Sequence, residues 1–245
     1  MKHKFSIVTI TKNNKSGLAR TLESIRAQTS RDFELIIVDG NSVDGTEELL
    51  QEYREIIGSV LRDRGAGIYA AMNQGALSAK GEWLIFMNAG DCFAAAEALQ
   101  QVDFDPSAQI VHGNAYKRDS TLHLPYDEKI PFWMGMPISH QATFFRRTLL
   151  ERRLFDESFR IAADFEYLMW AKTSGCRFEY IDVDIATIEI GGVSETKIVR
   201  RVWETYHAAV RYFPYYRVHR FYWSKLWWAF KTEMANKRAG SRTGQ

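Results

Sequence analysis

The sequence predicts an α/β protein built on a doubly wound, mostly parallel sheet with flanking helices. Three observations carry that expectation. Short runs rich in β-branched and apolar residues alternate with helical segments through the first 91 residues, in the order β-α-β-α-β-α-β. The connections are short and polar, which suits right-handed crossovers between neighbouring parallel strands. A chain of 245 residues, 46% of them hydrophobic, can bury a full core and is not a disordered composition.

Taken in order, Phe5-Ser6-Ile7-Val8-Thr9-Ile10 reads as a buried strand ended by the polar loop from Thr11 to Ser16. Leu18, Leu22 and Ile25 follow helical spacing up to Gln28-Thr29. Phe33 to Val38 is a second strand, ending in Asp39-Gly40-Asn41-Ser42. Asp44-Gly45-Thr46 reads as a turn capping a helix through Tyr53, with Glu47 and Glu48 in the first turn where the helix dipole favours acids. Val60-Leu61 is a short third strand, and Ile68 to Ala79 is a helix stopped by Lys80-Gly81. After Glu82, the five residues Trp83 to Met87 form a continuous apolar run, as expected of a strand buried on both faces, and it stops at Asn88-Ala89-Gly90-Asp91. Asp91 then stands at a strand's carboxyl end, where open α/β sheets bind ligands. Either it holds a metal or polar ligand, or Gly90-Asp91 is an ordinary turn.

Beyond Asp91, Ile110 to Asn114 and Ala142 to Phe145 read as strands, and Leu122 to Phe132 as irregular chain with Pro125 and Pro131. Ala163-Asp164 opens a helix that turns Phe165, Leu168, Met169 and Trp170 to the core. Ile185 to Ile190 is a strand. Gly191-Gly192-Val193-Ser194 is then either a turn or a place where backbone amides approach an anion.

Charge divides the chain at 196/197. Residues 197–245 hold eleven Lys/Arg against Glu204 and Glu233, a net +9, while residues 1–196 are net −7. The first part is expected to be the α/β domain and the second a basic, aromatic helical tail. Val199, Val202, Trp203, Tyr206, Val210 and Phe213 have helical spacing up to Pro214, and Tyr215 to Phe230 mixes rings with cations. Such a tail suits an anionic membrane surface, with rings at headgroup level, or else covers the sheet or makes a homodimer contact. No nucleic-acid recognition motif accompanies the charge. Two cysteines, Cys92 and Cys176, make no disulfide framework and fit a reducing, cytoplasmic setting, and neither a signal peptide nor a membrane span is expected. The first strand runs into Thr11-Lys12-Asn13-Asn14 without GxGxxG or GxxxxGK[ST], so phosphates are not handled by either glycine-rich loop.

Five blocks together resemble a known family. They are Ser6-Ile7-Val8-Thr9 with Asn13, then Leu22-Glu23-Ser24-Ile25 through Gln28-Thr29, then Asp32 to Thr46, then Gly67-Ile68-Tyr69 through Gly75, and Asn88-Ala89-Gly90-Asp91. In that order and spacing they resemble family 2 glycosyltransferases of the GT-A fold, of the bacterial polysaccharide or colanic-acid type, over roughly residues 5 to 195. The resemblance implies an inverting transfer of a sugar from a nucleotide diphosphate sugar, UDP by analogy, to a hydroxyl of a lipid-linked glycan. Thr9 and Asp39 would line the nucleoside pocket, with Asn13, Arg64, Tyr69, Asn73, Gly90, His140 and Gln141 around the donor. Asp91 would be the last carboxylate of a DxD-type motif holding Mg²⁺ or Mn²⁺, although Asn88 and Gly90 stand where many relatives carry acids. Asp164, in the block from Phe155 to Leu168, matches the general base. The alternative is a non-catalytic nucleotide-sugar or membrane-binding module.

Overall fold

The computed structural model describes residues 3–240 apart from 64, 66, 119–122, 125–130, 136–137 and 192–195. Strands β1 (Phe5–Thr11), β2 (Phe33–Asp39), β3 (Ser59–Arg62) and β4 (Trp83–Phe86) alternate with helices α1 (Lys15–Arg26), α2 (Thr46–Glu52) and α3 (Ile68–Ser78). The chain continues through β5 (Cys92–Phe93), α4 (Ala98–Gln101), β6 (Ile110–Lys117) and β7 (His123–Leu124) to β8 (Thr143–Arg146) and α5 (Arg147–Arg152). Helix α6 (Ala163–Thr173), β9 (Phe178–Ile188), α7 (Ile198–Tyr212) and α8 (Tyr215–Gly240) complete it.

All of these strands share one sheet, ordered β3-β2-β1-β4-β8-β6-β9-β5, with β7 beside β6. β1 to β4 are mutually parallel, as are β6 and β9; β8 runs antiparallel between β4 and β6. The sheet is therefore mixed and mostly parallel. Because side chains alternate along a strand, the apolar runs feed two cores. Phe5, Ile7, Leu35, Ile37, Trp83 and Ile85 pack with Leu18, Leu22 and Ile25 of α1. Val8, Ile36, Leu84 and Phe86 pack on the other face with Met72 and Ala76 of α3 and with Phe165, Leu168 and Met169 of α6. Gly75 lets α3 rest directly on Val8, whose methyl a Cβ would strike.

One expectation changes. The strand expected at Ile185 to Ile190 begins at Phe178 and ends at Ile188, because its first half alternates half-buried residues with Tyr180, Asp182 and Asp184, which are exposed. The turn expected at Asp44-Gly45-Thr46 does lead into α2, with Gly45 at φ 86° as the N-cap, while the Asp44 carboxylate accepts the Lys15 amide at the start of α1 at 2.8 Å and the Thr46 hydroxyl at 2.6 Å. Of the alternatives open for the tail, packing on the body is seen: Val202, Ala208, Ala209, Val218, Tyr222 and Ala229 join the cluster containing α3 and α6.

Candidate active site

The carboxyl ends of β1 and β4 are joined by a turn that α1 holds. The amides of Met87 and Ala89 donate to the carbonyls of Val8 and Ile10 at 3.0 Å each, continuing the pairing past the end of β4. Asn14 Nδ2 donates to the Ala89 carbonyl at 3.1 Å. The Thr21 hydroxyl accepts the Gly90 amide at 2.9 Å and donates to the Asp91 carbonyl at 2.7 Å. Gly90 sits at φ 110°, a left-handed conformation that favours glycine, and a Cβ there would collide with the Glu189 carboxylate. The peptide reversal aims Asp91 inward, so the residue is both a turn residue and a placed carboxylate.

Asp91 is 6% exposed. Its Oδ1 accepts the Glu189 amide at 3.0 Å and its Oδ2 accepts Gln141 Nε2 at 3.2 Å. Burial pushes its carboxyl above the usual range, against those two hydrogen bonds and the charge of His140. Glu189 is itself paired with Arg20, and Arg118 Nη2 donates to the Gly90 carbonyl at 2.6 Å.

Asp164 lies in the first turn of α6, equally buried. Its Oδ1 accepts the Tyr69 hydroxyl and the Phe165 amide, both at 2.9 Å, and its Oδ2 is 2.8 Å from His140 Nδ1. The Tyr69 oxygen also lies 2.7 Å from the Ile161 carbonyl. Burial pushes the Asp164 carboxyl up, but the hydrogen bond and charge of His140, with Tyr69 and the Phe165 amide, outweigh it and hold the carboxyl below its usual range. Burial likewise disfavours a charged His140, and Asp164 overrides it, so the imidazole is raised above its ordinary value. His140 Nε2 is 3.5 Å from Asn88 Nδ2 on the turn described above. Consecutive residues of the 3-10 turn His140–Ala142 therefore reach the two acids: His140 meets Asp164 and Gln141 meets Asp91.

Tyr69, Gly90, Asp91, His140, Gln141 and Asp164 are thus brought together. Asn73 is not with them: its amide donates to the Phe155 carbonyl and to Glu157, both at 2.9 Å, and accepts the Phe155 amide at 3.0 Å, which pins the segment before Asp164. Asn13, at φ 50°, joins two loops, its amide donating to the Ser42 hydroxyl at 2.8 Å and its side chain accepting the Val43 amide at 2.9 Å. Thr9 and Asp39 are fully covered, Asp39 by Arg62 and the Ser42 amide. Arg64 and residues 192–194 of the glycine loop lie outside the described residues. Sequence reasoning missed Thr21, Arg62, Glu189 and Glu204, whose partners are remote along the chain.

Among the described residues no group of three His, Cys, Asp or Glu side chains is placed to hold a metal. The turn nevertheless offers hard oxygen donors: the Asp91 carboxylate, and Asn88 Oδ1, which is buried and unpartnered among the described residues. One carboxylate with an amide oxygen fits a Mg²⁺ or Mn²⁺ ion that takes its remaining ligands from phosphates and water.

Comparison with known proteins agrees with this architecture. The family model described as glycosyl transferase family 2 matches residues 6–163. A Mycobacterium bovis protein named PGL/p-HBAD biosynthesis glycosyltransferase is 32% identical over 206 residues, covering 78% of this chain and 79% of that one. An uncharacterized Mycobacterium tuberculosis glycosyltransferase is 30% identical over 177 residues, 68% of each chain. The names of these relatives do not single out the colanic-acid type expected from the sequence. Among solved structures, Staphylococcus aureus TarS 1-349 in complex with UDP-GlcNAc superposes with a TM-score of 0.67 at 18% identity, covering 84% of this chain. This chain spans 66% of the TarS fragment's length. The Pyrobaculum calidifontis mannosyltransferase PcManGT, in complex with GDP-Man and Mn2+, gives 0.67 at 17% identity and covers all of this chain and 77% of its own. At these identities the structures show a shared GT-A-like fold. With a family model over more than half its length and a relative 32% identical over 78% of it, the chain belongs to glycosyltransferase family 2.

Proposed function

We propose that this chain is an inverting glycosyltransferase that moves a sugar from a nucleotide diphosphate sugar, a UDP-sugar first, to a hydroxyl of a lipid-linked glycan, working in the cytoplasm at an anionic membrane surface. The observation that carries the reading is the pair of buried acids bridged by His140 and Gln141. A sugar hydroxyl is a poor nucleophile at neutral pH, and a carboxylate positioned to take its proton contributes ~10²–10⁴-fold. Asp164 fits that role because its lowered pKa keeps it ionised, while Tyr69 and the Phe165 amide fix one oxygen. The acceptor oxygen bonds to the anomeric carbon from the face opposite the diphosphate, the carbon–phosphate-oxygen bond breaks, and the proton goes to Asp164. Asp91 would hold Mg²⁺ or Mn²⁺ together with the donor's diphosphate, and such an ion neutralises charge developing on the leaving group. UDP-GlcNAc in TarS and GDP-Man with Mn2+ in PcManGT support the donor class and the cation by analogy. The name of the M. bovis relative supports a role in glycoconjugate synthesis.

The test is donor hydrolysis and transfer by purified protein with and without Mn²⁺. Asp164→Asn should lower turnover by ~10²–10⁴-fold, and Asp91→Ala should remove its metal dependence. Near-normal rates in both variants would sink the assignment. No turnover by the wild type, with or without Mn²⁺, would favour a non-catalytic binding module.

A further inference from the structure

Two apolar stripes run along α8. One faces the body: Val218, Tyr222 and Ala229 are buried there with Phe221 and Leu226 beside them, and Lys225 Nζ donates to the Met134 carbonyl at 3.0 Å. The other faces away. Tyr216, Trp223, Trp227, Phe230 and Met234 follow steps of seven, four, three and four residues, the spacing of a single helical face, and each is 40–70% exposed. At 1.5 Å per residue this stripe is ~27 Å long. Cations edge it, with Lys231 Nζ 5.0 Å from the Trp227 ring and Arg217 5.8 Å from the Tyr216 ring. Rings continue it onto α7, from Trp223 to His219 at 5.6 Å, to Tyr206 at 6.0 Å and to Trp203 at 6.1 Å between centroids.

A helix that only covered the core would need the first stripe and a polar outer face. Five large apolar side chains aligned in water mark an interaction surface. Its chemistry selects the occupant. The described charged side chains edging this face are the exposed Arg217, Arg220 and Lys231, so two copies of it would set cations against cations. Trp and Tyr rimmed by Lys and Arg match the headgroup layer of an anionic bilayer. No helix among the described residues is long and apolar enough to cross a membrane. We propose that the outward face of α8 lies in the plane of an anionic lipid surface, its rings among the headgroups and Arg217, Arg220 and Lys231 against lipid phosphates. This deepens the reading of a lipid-linked acceptor, and its test does not depend on turnover.

The probe is co-sedimentation of the full chain with vesicles of phosphatidylcholine alone or mixed with phosphatidylglycerol. The wild type should bind the mixed vesicles and be released by salt. Trp223→Ser with Trp227→Ser should weaken binding by ~10-fold or more. Arg220→Gln with Lys231→Gln should weaken it by ~25-fold, at ~1 kcal/mol for each base. Both double variants should keep wild-type hydrolysis of soluble donor, because neither touches the active site. Failure of the wild type to bind anionic vesicles, or equal binding by the Trp variant, overturns the proposal. So does a wild-type dimer that the Trp variant dissolves without any lipid binding, which would assign the face to a second copy. Vesicle binding in a protein that never turns over donor would leave the docking surface standing and remove the enzymatic reading.

Discussion

Glu204 is the most informative residue to perturb, because it ties α7 to the loop just before the proposed base. It is 7% exposed. Its Oε2 accepts the amides of Arg160 at 2.9 Å, Ile161 at 2.7 Å and Ala162 at 3.2 Å, and its Oε1 accepts Arg200 Nε at 2.8 Å. These amides lie just before α6, whose N-cap Ala162 makes no side-chain cap hydrogen bond. In Glu204→Ala the three amides lose their acceptor. A hydrogen bond to a charged acceptor contributes ~1.5–3 kcal/mol, and three donors on one oxygen count as about two full bonds, so the loss is ~4 kcal/mol. For a chain of this size that lowers the melting temperature by ~8–16 °C. Glu204→Gln keeps an oxygen and should lose about half as much. Calorimetry measures the stability, and donor hydrolysis well below the transition measures the geometry. Because Ile161 also anchors Tyr69, kcat should fall ~10-fold or more with the donor KM unchanged, in line with the cost of ångström-scale misplacement, and Gln should restore part of it. Unfolding of Glu204→Ala within about 1 kcal/mol of wild type would refute the estimate. Full kcat in a destabilised Glu204→Ala would refute the link to Asp164.

Gly90→Ala should displace the Glu189 carboxylate, disturb the Arg20–Glu189 pair and the Glu189 amide on Asp91, and cost ~1–3 kcal/mol from the left-handed backbone alone; chemical denaturation and Mn²⁺-dependent hydrolysis both read it, and wild-type values in both would show that the turn is plastic. The His140–Asp164 pair sets a pH window. His140 is raised, so its contribution is complete below the unfolded value of 6.5 and is lost as pH rises through the folded value; Asp164 is lowered, so its contribution is present above 3.8 and is lost as pH falls through the folded value. The stability gap between wild type and His140→Gln should therefore be widest between 3.8 and 6.5 and narrow on either side, reaching ~3 kcal/mol as expected when one partner of a buried pair is removed. A gap that is flat with pH would refute the ion pair.

What the sequence discloses about this protein follows what is local. β1, β2 and β4 are legible because strands buried on both faces must be continuous apolar runs. β9 is half legible, since only its end at Ile185 and Ala186 is fully buried and its beginning carries acids on the exposed side. Asp91 is legible as a carboxylate after a strand, but not its surroundings: Thr21, Gln141 and Glu189 approach it from 70, 50 and 98 residues away. Asp164 stands at the start of a helix, where aspartate is an ordinary residue, and only the block around it resembles a base. What sets it apart is its company. Tyr69 arrives from α3, His140 from the turn before β8, and Glu204 secures its loop from α7, each through a bond that leaves no local pattern.

The same reasoning explains why the tail reads so differently in sequence and in space. Its composition announces an aromatic, basic segment suited to a surface. Composition does not separate the rings that face the body from those that face away. Tyr222 is 1% exposed while its neighbour Trp223 is 67% exposed, a division imposed by one step of helical rotation against α7. Glu204 binds α7 to the loop before Asp164, the inward stripe packs α8 into the shared core, and the outward stripe stays exposed. A lipid surface that holds α8 would then hold, through α7, the segment before the proposed base, so the feature that looked like an appendage stands one helix away from Asp164.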